Sequence, residues 1–130
     1  MTDREELVER CSRLAHEVNR AYCLSHGDES HVGWYSAPEW QRNSARVGVV
    51  AILDNPSLTP EQSHEGWLIL KGAEGWILGE VKDEKAKTHP CFRSYKSLPA
   101  QQRMKDYLFG LVVRGIADLD LATGMDSPDN

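Results

Sequence analysis

Between residues 75 and 97 the chain loses the three-to-four-residue spacing of apolar side chains that runs through the sequence on either side. Gly75, Gly79 and Pro90 interrupt this segment, and such residues break helices and mark turns. Connections of more than twenty residues are uncommon in compact domains unless they serve a function. The sequence therefore predicts a mainly α protein, one small domain of about four helices around one core. A long ordered loop, with room for a short β-hairpin, is expected between helices three and four.

The first and last helices carry the clearest apolar stripes. Helix one is expected to begin near an Asp3 cap and to end before Gly27. Helix four is expected to begin at a Ser97 cap, with Pro99 in its first turn. The apolar positions are Leu7, Cys11, Leu14, Val18 and Tyr22 in helix one, and Met104, Leu108, Leu111, Val112, Gly115 and Ile116 in helix four.

Two capping boxes mark the starts of the middle helices, Ser36-x-x-Glu39 and Thr59-x-x-Gln62. Helix two is predicted to run to about Asp54, and helix three to end at Gly72 or Gly75. The predicted buried positions are Trp40, Val47 and Ala51 in helix two, and Trp67 and Leu70 in helix three.

Composition indicates an ordinary soluble domain, with 40% hydrophobic and 27% charged residues. Residues 1–117 are expected to form the domain, and the acidic segment 118–130, poor in large apolar residues, a frayed tail. Neither an apolar run of the ~20 residues that a membrane helix needs nor a signal-peptide pattern is present, so no membrane partner is expected. The three cysteines lack C-x-x-C spacing, which favours a reducing, cytoplasmic location.

Positive charge is concentrated in one region of an acidic chain. Residues 82–105 hold seven basic and two acidic residues, whereas the whole chain has a formal net charge of −5. This distribution favours a small anionic ligand over duplex nucleic acid, whose binding rests on phosphate neutralisation and which the remaining surface would repel. A loop kept soluble by its lysines is the alternative interpretation.

Aromatic and polar side chains in and beside this region are candidates for a ligand site. Trp67 and Lys71 are four residues apart and share a helix face, where they would offer a stacking ring beside an ammonium group. A core role for Trp67 is the alternative, and Trp76 is expected to pack the loop onto the core. His89 precedes a proline that extends its backbone and directs its side chain, although a structural histidine is equally consistent with the pattern. The candidate ligand-binding residues are Trp67, Lys71, Lys87, Thr88, His89, Tyr95, Arg103 and Asp106.

Two of these candidates also have a simpler explanation. Arg103 and Asp106 are three residues apart on the predicted last helix. They would either contact the phosphate and the sugar or base of a ligand, or form a local ion pair with each other.

Ten residues at fixed spacing spell W-x3-K-x3-G-W-x2-G-x3-D-x3-K-x-H-P-x4-Y, from Trp67 to Tyr95. With Leu98-Pro99 and the basic helix that follows, this pattern resembles the RyR domain, the repeat of ryanodine receptors, which small phage and bacterial proteins carry as a stand-alone domain. The segment 37–42 is similar to the helix that precedes the motif in those stand-alone members. The resemblance extends from about residue 14 to about residue 116.

The resemblance implies a largely helical fold and, because RyR repeats occur as tandem pairs in the channel, homodimerisation of a single copy. It also implies an adenine-nucleotide type of ligand, since such nucleotides are associated with channel repeats in a pocket that involves the motif tryptophan. The expected function is that of a sensor or sequestering protein for adenine or cyclic signalling nucleotides, with phage counter-defence as one setting. A protein-interaction module without a small ligand is the alternative.

Catalytic and metal sites are not expected. The chain has neither a P-loop nor a G-x-G-x-x-G pattern, and His64-Glu65 lacks the second histidine of H-E-x-x-H. His26 and His31 flank an acidic pair, but no pattern fixes their geometry as a metal site. No cofactor is expected either, so binding is favoured over chemistry.

Overall fold

The computed structural model describes residues 1–125, with side chains described as far as residue 121. Over this range the chain is mainly α, with four helices and two very short strands, which confirms the predicted fold class. The elements are α1 (Asp3–Ser25), α2 (Glu39–Asp54), α3 (Pro60–Ala73), β1 (Ile77–Leu78), β2 (Thr88–His89) and α4 (Ala100–Met125), with 3₁₀ turns at Trp34–Ser36 and Tyr95–Ser97. None of the helices in residues 1–125 has both the length and the apolar character to cross a membrane.

The chain divides into two compact units. The first consists of Met1–Leu58 with the chain from Tyr107 onward, and the second is Thr59–Asp106. The core of the first unit is built from α1, α2 and α4. It contains Cys11, Val49, Ile52 and Val113, with Leu7, Val8, Leu53, Leu58, Phe109 and Ile116 packed against them.

The predicted buried face of α2 is wrong. Trp40 and Val47 are 41% and 56% exposed, whereas Val49 and Ile52 are buried. Gly48 lies on the packed side, where an added Cβ would come within 3.1 Å of the Phe109 ring. Apolar residues occur on two faces of this helix, so their periodicity did not identify the face that packs.

The predicted stripes of α1 and α4 are correct only in part. Cys11 is buried as expected, but Leu14 is 45% exposed. In α4, Met104 and Leu111 are 45% and 67% exposed, and Val113, which the predicted stripe omitted, is fully buried. Helix α4 continues to Met125, beyond the domain end expected at residue 117, and residues 126–130 of the expected frayed tail lie outside the described residues.

The start of α3 follows the sequence signal. The Thr59 hydroxyl accepts a hydrogen bond from the Gln62 N–H, and the Gln62 side chain accepts one from the Thr59 N–H, which confirms the capping box. Helix α1 starts one residue earlier than expected. Its cap is Thr2, which accepts from the Glu5 N–H, and Asp3 is the first helical residue.

The caps predicted for α2 and α4 are wrong. Ser36 lies in a 3₁₀ turn, and Pro38 occupies the cap position of α2 without a side-chain hydrogen bond. The Ser97 hydroxyl donates to the Ser94 carbonyl oxygen at 2.7 Å and accepts from Arg93 Nε at 2.9 Å, so its bonds serve the preceding turn. At Ser97, local side-chain bonds in the preceding turn therefore compete with capping for the hydroxyl group.

The long connection after α3 is ordered by a small parallel sheet. Strand β1 pairs with β2 in parallel, with Ile77 opposite Thr88 and Leu78 opposite His89, so the predicted short hairpin is replaced by a parallel pair. One isolated antiparallel bridge, between Asp83 and Thr88, closes the intervening turn, with both backbone bonds at 3.0 Å.

Candidate functional site

Six aromatic rings gather in the second unit, centred on Trp67 of α3. We call them the aromatic cluster, and its members are His64, Trp67, Trp76, His89, Phe92 and Tyr95. The Trp67 ring stacks on His64 at 5.5 Å between centroids, meets the edge of His89 at 5.1 Å and lies 6.0 Å from Phe92. The cluster therefore joins α3 to the loop that follows it.

The C-terminus of α3 brings a tryptophan and a lysine together. The chain leaves the helix through Gly75 at φ 92°, and the Trp76 N–H donates to the Lys71 carbonyl oxygen at 3.0 Å, which is the bond of a Schellman cap. The Lys71 ammonium then lies 5.9 Å from the centroid of the Trp76 ring, within cation–π range. It also lies 3.4 Å from a carboxylate oxygen of Glu74.

His64 is the cluster residue that sequence reasoning missed. It is 6% exposed, and its Nε2 lies 2.7 Å from the Arg93 carbonyl oxygen. Because a carbonyl oxygen only accepts, this nitrogen carries a proton and donates. The signal that could have identified His64 is its position three residues before Trp67, which places both on one helix face.

His89 is held neutral at ordinary pH. Burial, followed by the charges of Lys82 and Lys105, lowers the pKa of His89 to about 4. Its Nδ1 accepts a hydrogen bond from the Cys91 N–H at 2.9 Å, so the proton of the neutral ring is on Nε2. His89 thus presents an uncharged N–H donor beside Trp67.

Two predicted ligand residues form hydrogen bonds within the loop itself. The Lys87 ammonium donates to the Glu74 carbonyl oxygen at 2.5 Å, and Lys87 has a positive φ of 56°. The Thr88 hydroxyl donates to the Val81 carbonyl oxygen at 2.8 Å. Both side chains therefore stabilise the loop conformation.

The three remaining predicted ligand residues differ in their burial and in their contacts. Tyr95 belongs to the aromatic cluster, with its ring 6.0 Å from His64. Asp106 is mostly buried, and its Oδ2 has no hydrogen-bond partner among the described residues. Arg103 is exposed on α4, and it forms no ion pair with Asp106.

Burial is the main cause of the raised pKa of two groups near the aromatic cluster, the Asp106 carboxyl and the Cys91 thiol. It raises the pKa of Asp106 to about 6, against the opposing effects of His64 and Lys105. It also raises the pKa of the Cys91 thiol, which disfavours the nucleophilic thiolate. The site offers stacking surfaces, cations, a neutral N–H donor and a carboxyl group with a pKa of about 6. The Cys91 thiol beside it is not activated as a nucleophile.

Glycine packing keeps the loop close to β2. A Cβ on Gly79 would lie 2.5 Å from the Cβ of Thr88, so the Thr88 side chain occupies the space that a side chain at position 79 would need. Gly79 does not have a positive φ, whereas Gly75 and Lys87 in the same segment do. Close approach is the physical reason for Gly79.

The segment that holds the aromatic cluster matches a known protein family. Residues 56–109 match the family model of the RyR domain. The match covers α3, both strands and the start of α4, and it contains the whole motif from Trp67 to Tyr95. It confirms the family resemblance over that range, and residues 14–55, which the sequence resemblance also included, lie outside it.

Proposed function

Because residues 56–109 form a RyR domain, we propose that this protein binds a small anionic ligand with an aromatic ring, of the adenine or cyclic signalling nucleotide type. The observation that carries the proposal is the position of the Lys71 ammonium, 5.9 Å from the Trp76 ring, within a unit that also holds Trp67 and His89. Aromatic faces and cations in one small unit are the groups that recognise a base and its phosphate.

Charge supports an anionic ligand in particular. Burial is the largest cause of the lowered His89 pKa, and the charges of Lys82, Lys105 and Lys71 lower it further, so the fields of these three cations reach that ring. A phosphate bound there would be attracted by the three cations and would accept a hydrogen bond from the neutral His89 N–H. Stacking on a tryptophan would add about 1–3 kcal/mol per base.

Asp106 suits the recognition of a polar group on the base or sugar. Its buried Oδ2 has no hydrogen-bond partner among the described residues, and unmet buried acceptors are costly. A ligand amine or hydroxyl donating to this oxygen would remove that cost. In this proposal the protein binds its ligand without turnover, as a sensor or a sequestering protein in the cytoplasm.

A thermal-shift screen against ATP, ADP-ribose and cyclic dinucleotides tests the proposal. At a hundredfold excess over the dissociation constant, a ligand stabilises the fold by about 2.7 kcal/mol, which corresponds to a shift of several degrees. Lys71→Ala should abolish the shift, while Lys96→Ala, an exposed basic residue of the same unit, should leave it unchanged. A flat screen, or equal responses of the two variants, would overturn the proposal.

Protein interaction is the second candidate function, because the same unit exposes large apolar side chains. Ile69, Ile77, Leu78 and Val81 are between 57% and 75% exposed. Such residues mark contact surfaces when they lie together, and a homodimer of this single repeat would resemble the paired repeats of the channel. Light scattering after size exclusion decides this point. A dimer that Ile77→Lys dissociates would favour the contact role, and a monomer at all concentrations would exclude the homodimer.

A further inference from the structure

Three side chains with metal-binding chemistry meet where α1 ends in the first unit. The ligand atoms of Cys23, Asp28 and His31, which are a thiol sulfur, a carboxylate oxygen and a ring nitrogen, all lie within 4.8 Å of one another. Among the described residues this is the one group of three such side chains close enough to share an ion. His26, which the sequence suggested beside His31, is not a member.

The backbone fixes two of the three positions. The Asp28 N–H donates to the Cys23 carbonyl oxygen at 2.9 Å, and the Gly27 N–H donates to the Leu24 carbonyl oxygen at 3.0 Å. These are the two bonds of a Schellman cap, completed by Gly27 at φ 81° in the left-handed region that glycine tolerates. Cys23 and Asp28 are therefore neighbours because of how the helix ends.

Further bonds orient Asp28 and His31 toward each other. Asp28 Oδ1 accepts from the Ser30 N–H at 2.9 Å and from the Ser30 hydroxyl at 2.6 Å. Its other oxygen, Oδ2, lies 3.5 Å from His31 Nε2. The backbone of His31 is held in turn by Arg20, whose Nε donates to the His31 carbonyl oxygen at 3.3 Å.

We propose that Cys23, Asp28 and His31 form a binding site for one divalent ion of the zinc type. Sulfur, nitrogen and oxygen donors together suit zinc, and its usual bond lengths place tetrahedral ligand atoms roughly 3.3–3.8 Å apart. The Asp28–His31 distance already lies in this range. Three protein ligands leave a fourth position for water or for a group from another molecule.

The surrounding charge is compatible with a cation. The site lies at the C-terminus of a 23-residue helix, where the backbone carbonyl groups carry partial negative charge. Arg20 is the nearby opposing charge, and its ion pair with Glu17 at 3.3 Å offsets part of it. The His31 side chain is 27% exposed, so an ion can reach this ligand from solvent, whereas Cys23 is only 2% exposed.

Binding must be coupled to proton release. The Cys23 thiol loses its proton to solvent when the sulfur bonds to the metal, and His31 binds through a nitrogen that carries no proton. Affinity should therefore fall as pH is lowered, and the released protons can be counted from the buffer dependence of the binding heat.

Cobalt and zinc titrations of the purified, tag-free protein test the site. We expect one equivalent of Co²⁺ to produce a thiolate-to-cobalt charge-transfer band, which one equivalent of Zn²⁺ removes. Cys23→Ser should abolish the band. Because Cys23 is buried and its replacement also alters packing, His31→Ala serves as the second variant, with an expected loss of affinity of about tenfold or more.

Two control variants make the result specific. Cys91→Ser leaves Cys23 in place, and His26→Ala removes a neighbouring exposed histidine that is not in the group, so both should keep the band and the affinity. The absence of a charge-transfer band in the folded wild-type protein would overturn the proposal. A band that survives Cys23→Ser, or an affinity unchanged by His31→Ala in a variant with native circular dichroism, would overturn it as well.

Discussion

Lys71 and Trp76 are joined twice, through the backbone by a 3.0 Å hydrogen bond and through their side chains by an ammonium 5.9 Å from the indole ring. The backbone bond exists because Gly75 reverses the chain at φ 92°. One helix cap thus creates the pairing of cation and ring on which the proposed ligand site depends. The same kind of cap at the end of α1 pairs Cys23 with Asp28.

Replacing Gly75 with alanine should weaken this relationship. A non-glycine residue in the left-handed region costs about 1–2 kcal/mol, and here no steric clash adds to it, because the nearest atom to the new Cβ is 3.8 Å away. We expect a lower Tm and weaker ligand binding. Gly66→Ala is the matched control. It lies inside α3 with open space around its Cβ, so it should stabilise by about 0.5–1 kcal/mol. A Gly75→Ala protein as stable as the wild type would contradict the prediction.

Features that depend on neighbouring residues were predictable from the sequence. The Thr59 and Gln62 capping box is one such feature, because its two hydrogen bonds span only three residues. The motif spacing also grouped Trp67 with His89 and Tyr95, and all three lie within residues 56–109, the segment that matches the RyR family model.

Features that depend on distant partners were not predictable. The parallel pairing of β1 with β2 joins residues eleven apart, whereas the turn signal at Gly79 between the strands is equally consistent with a hairpin. His64 meets the Arg93 carbonyl group across 29 residues, so no short pattern predicts this hydrogen bond, although the spacing of His64 from Trp67 places both rings on one helix face. On α2, only contact with the rest of its unit decided that Val49, and not Val47, faces the core.

Gly79→Ala should disturb the loop through a steric clash, which is absent at Gly75. The added Cβ would lie 2.5 Å from the Cβ of Thr88, so β1 and β2 must separate, at a cost of about 1–3 kcal/mol. Urea unfolding followed by tryptophan fluorescence measures the loss. Gly115→Ala, at an exposed site in α4 with open space around its Cβ, is the control and should not destabilise. Equal urea midpoints for Gly79→Ala and Gly115→Ala would show that the close approach of residue 79 to Thr88 is not required.

Asp106→Asn should stabilise the protein at neutral pH. The pKa of Asp106 is raised from 3.8 to about 6, so the folded state binds more protons than the unfolded state between these values. The stability that the protonated Asp106 carboxyl contributes is therefore lost as pH rises from 3.8 through about 6. Asparagine carries no charge, and we expect a gain on the order of 1–3 kcal/mol at pH 7 that disappears below pH 4. Tm values of Asp106→Asn and of the exposed control Asp118→Asn, compared across pH, check the prediction. A gain that does not depend on pH would contradict it.

His89 should produce the opposite pH dependence. Its pKa is lowered from 6.5 to about 4, so the unfolded state binds more protons between these values. Stability due to the neutral ring is fully present above pH 6.5 and is lost as pH falls toward 4. His89→Asn keeps an acceptor for the Cys91 N–H but cannot be protonated, so it should remove this part of the acid destabilisation. The exposed control His26→Ala should leave the acid limb of the Tm profile unchanged.

If a bound phosphate neutralises Lys71, Lys82 and Lys105, the pKa of His89 should also rise on ligand binding, which NMR titration of the ring protons would detect. A His89 pKa that is the same with and without a saturating nucleotide would place the ligand away from this ring.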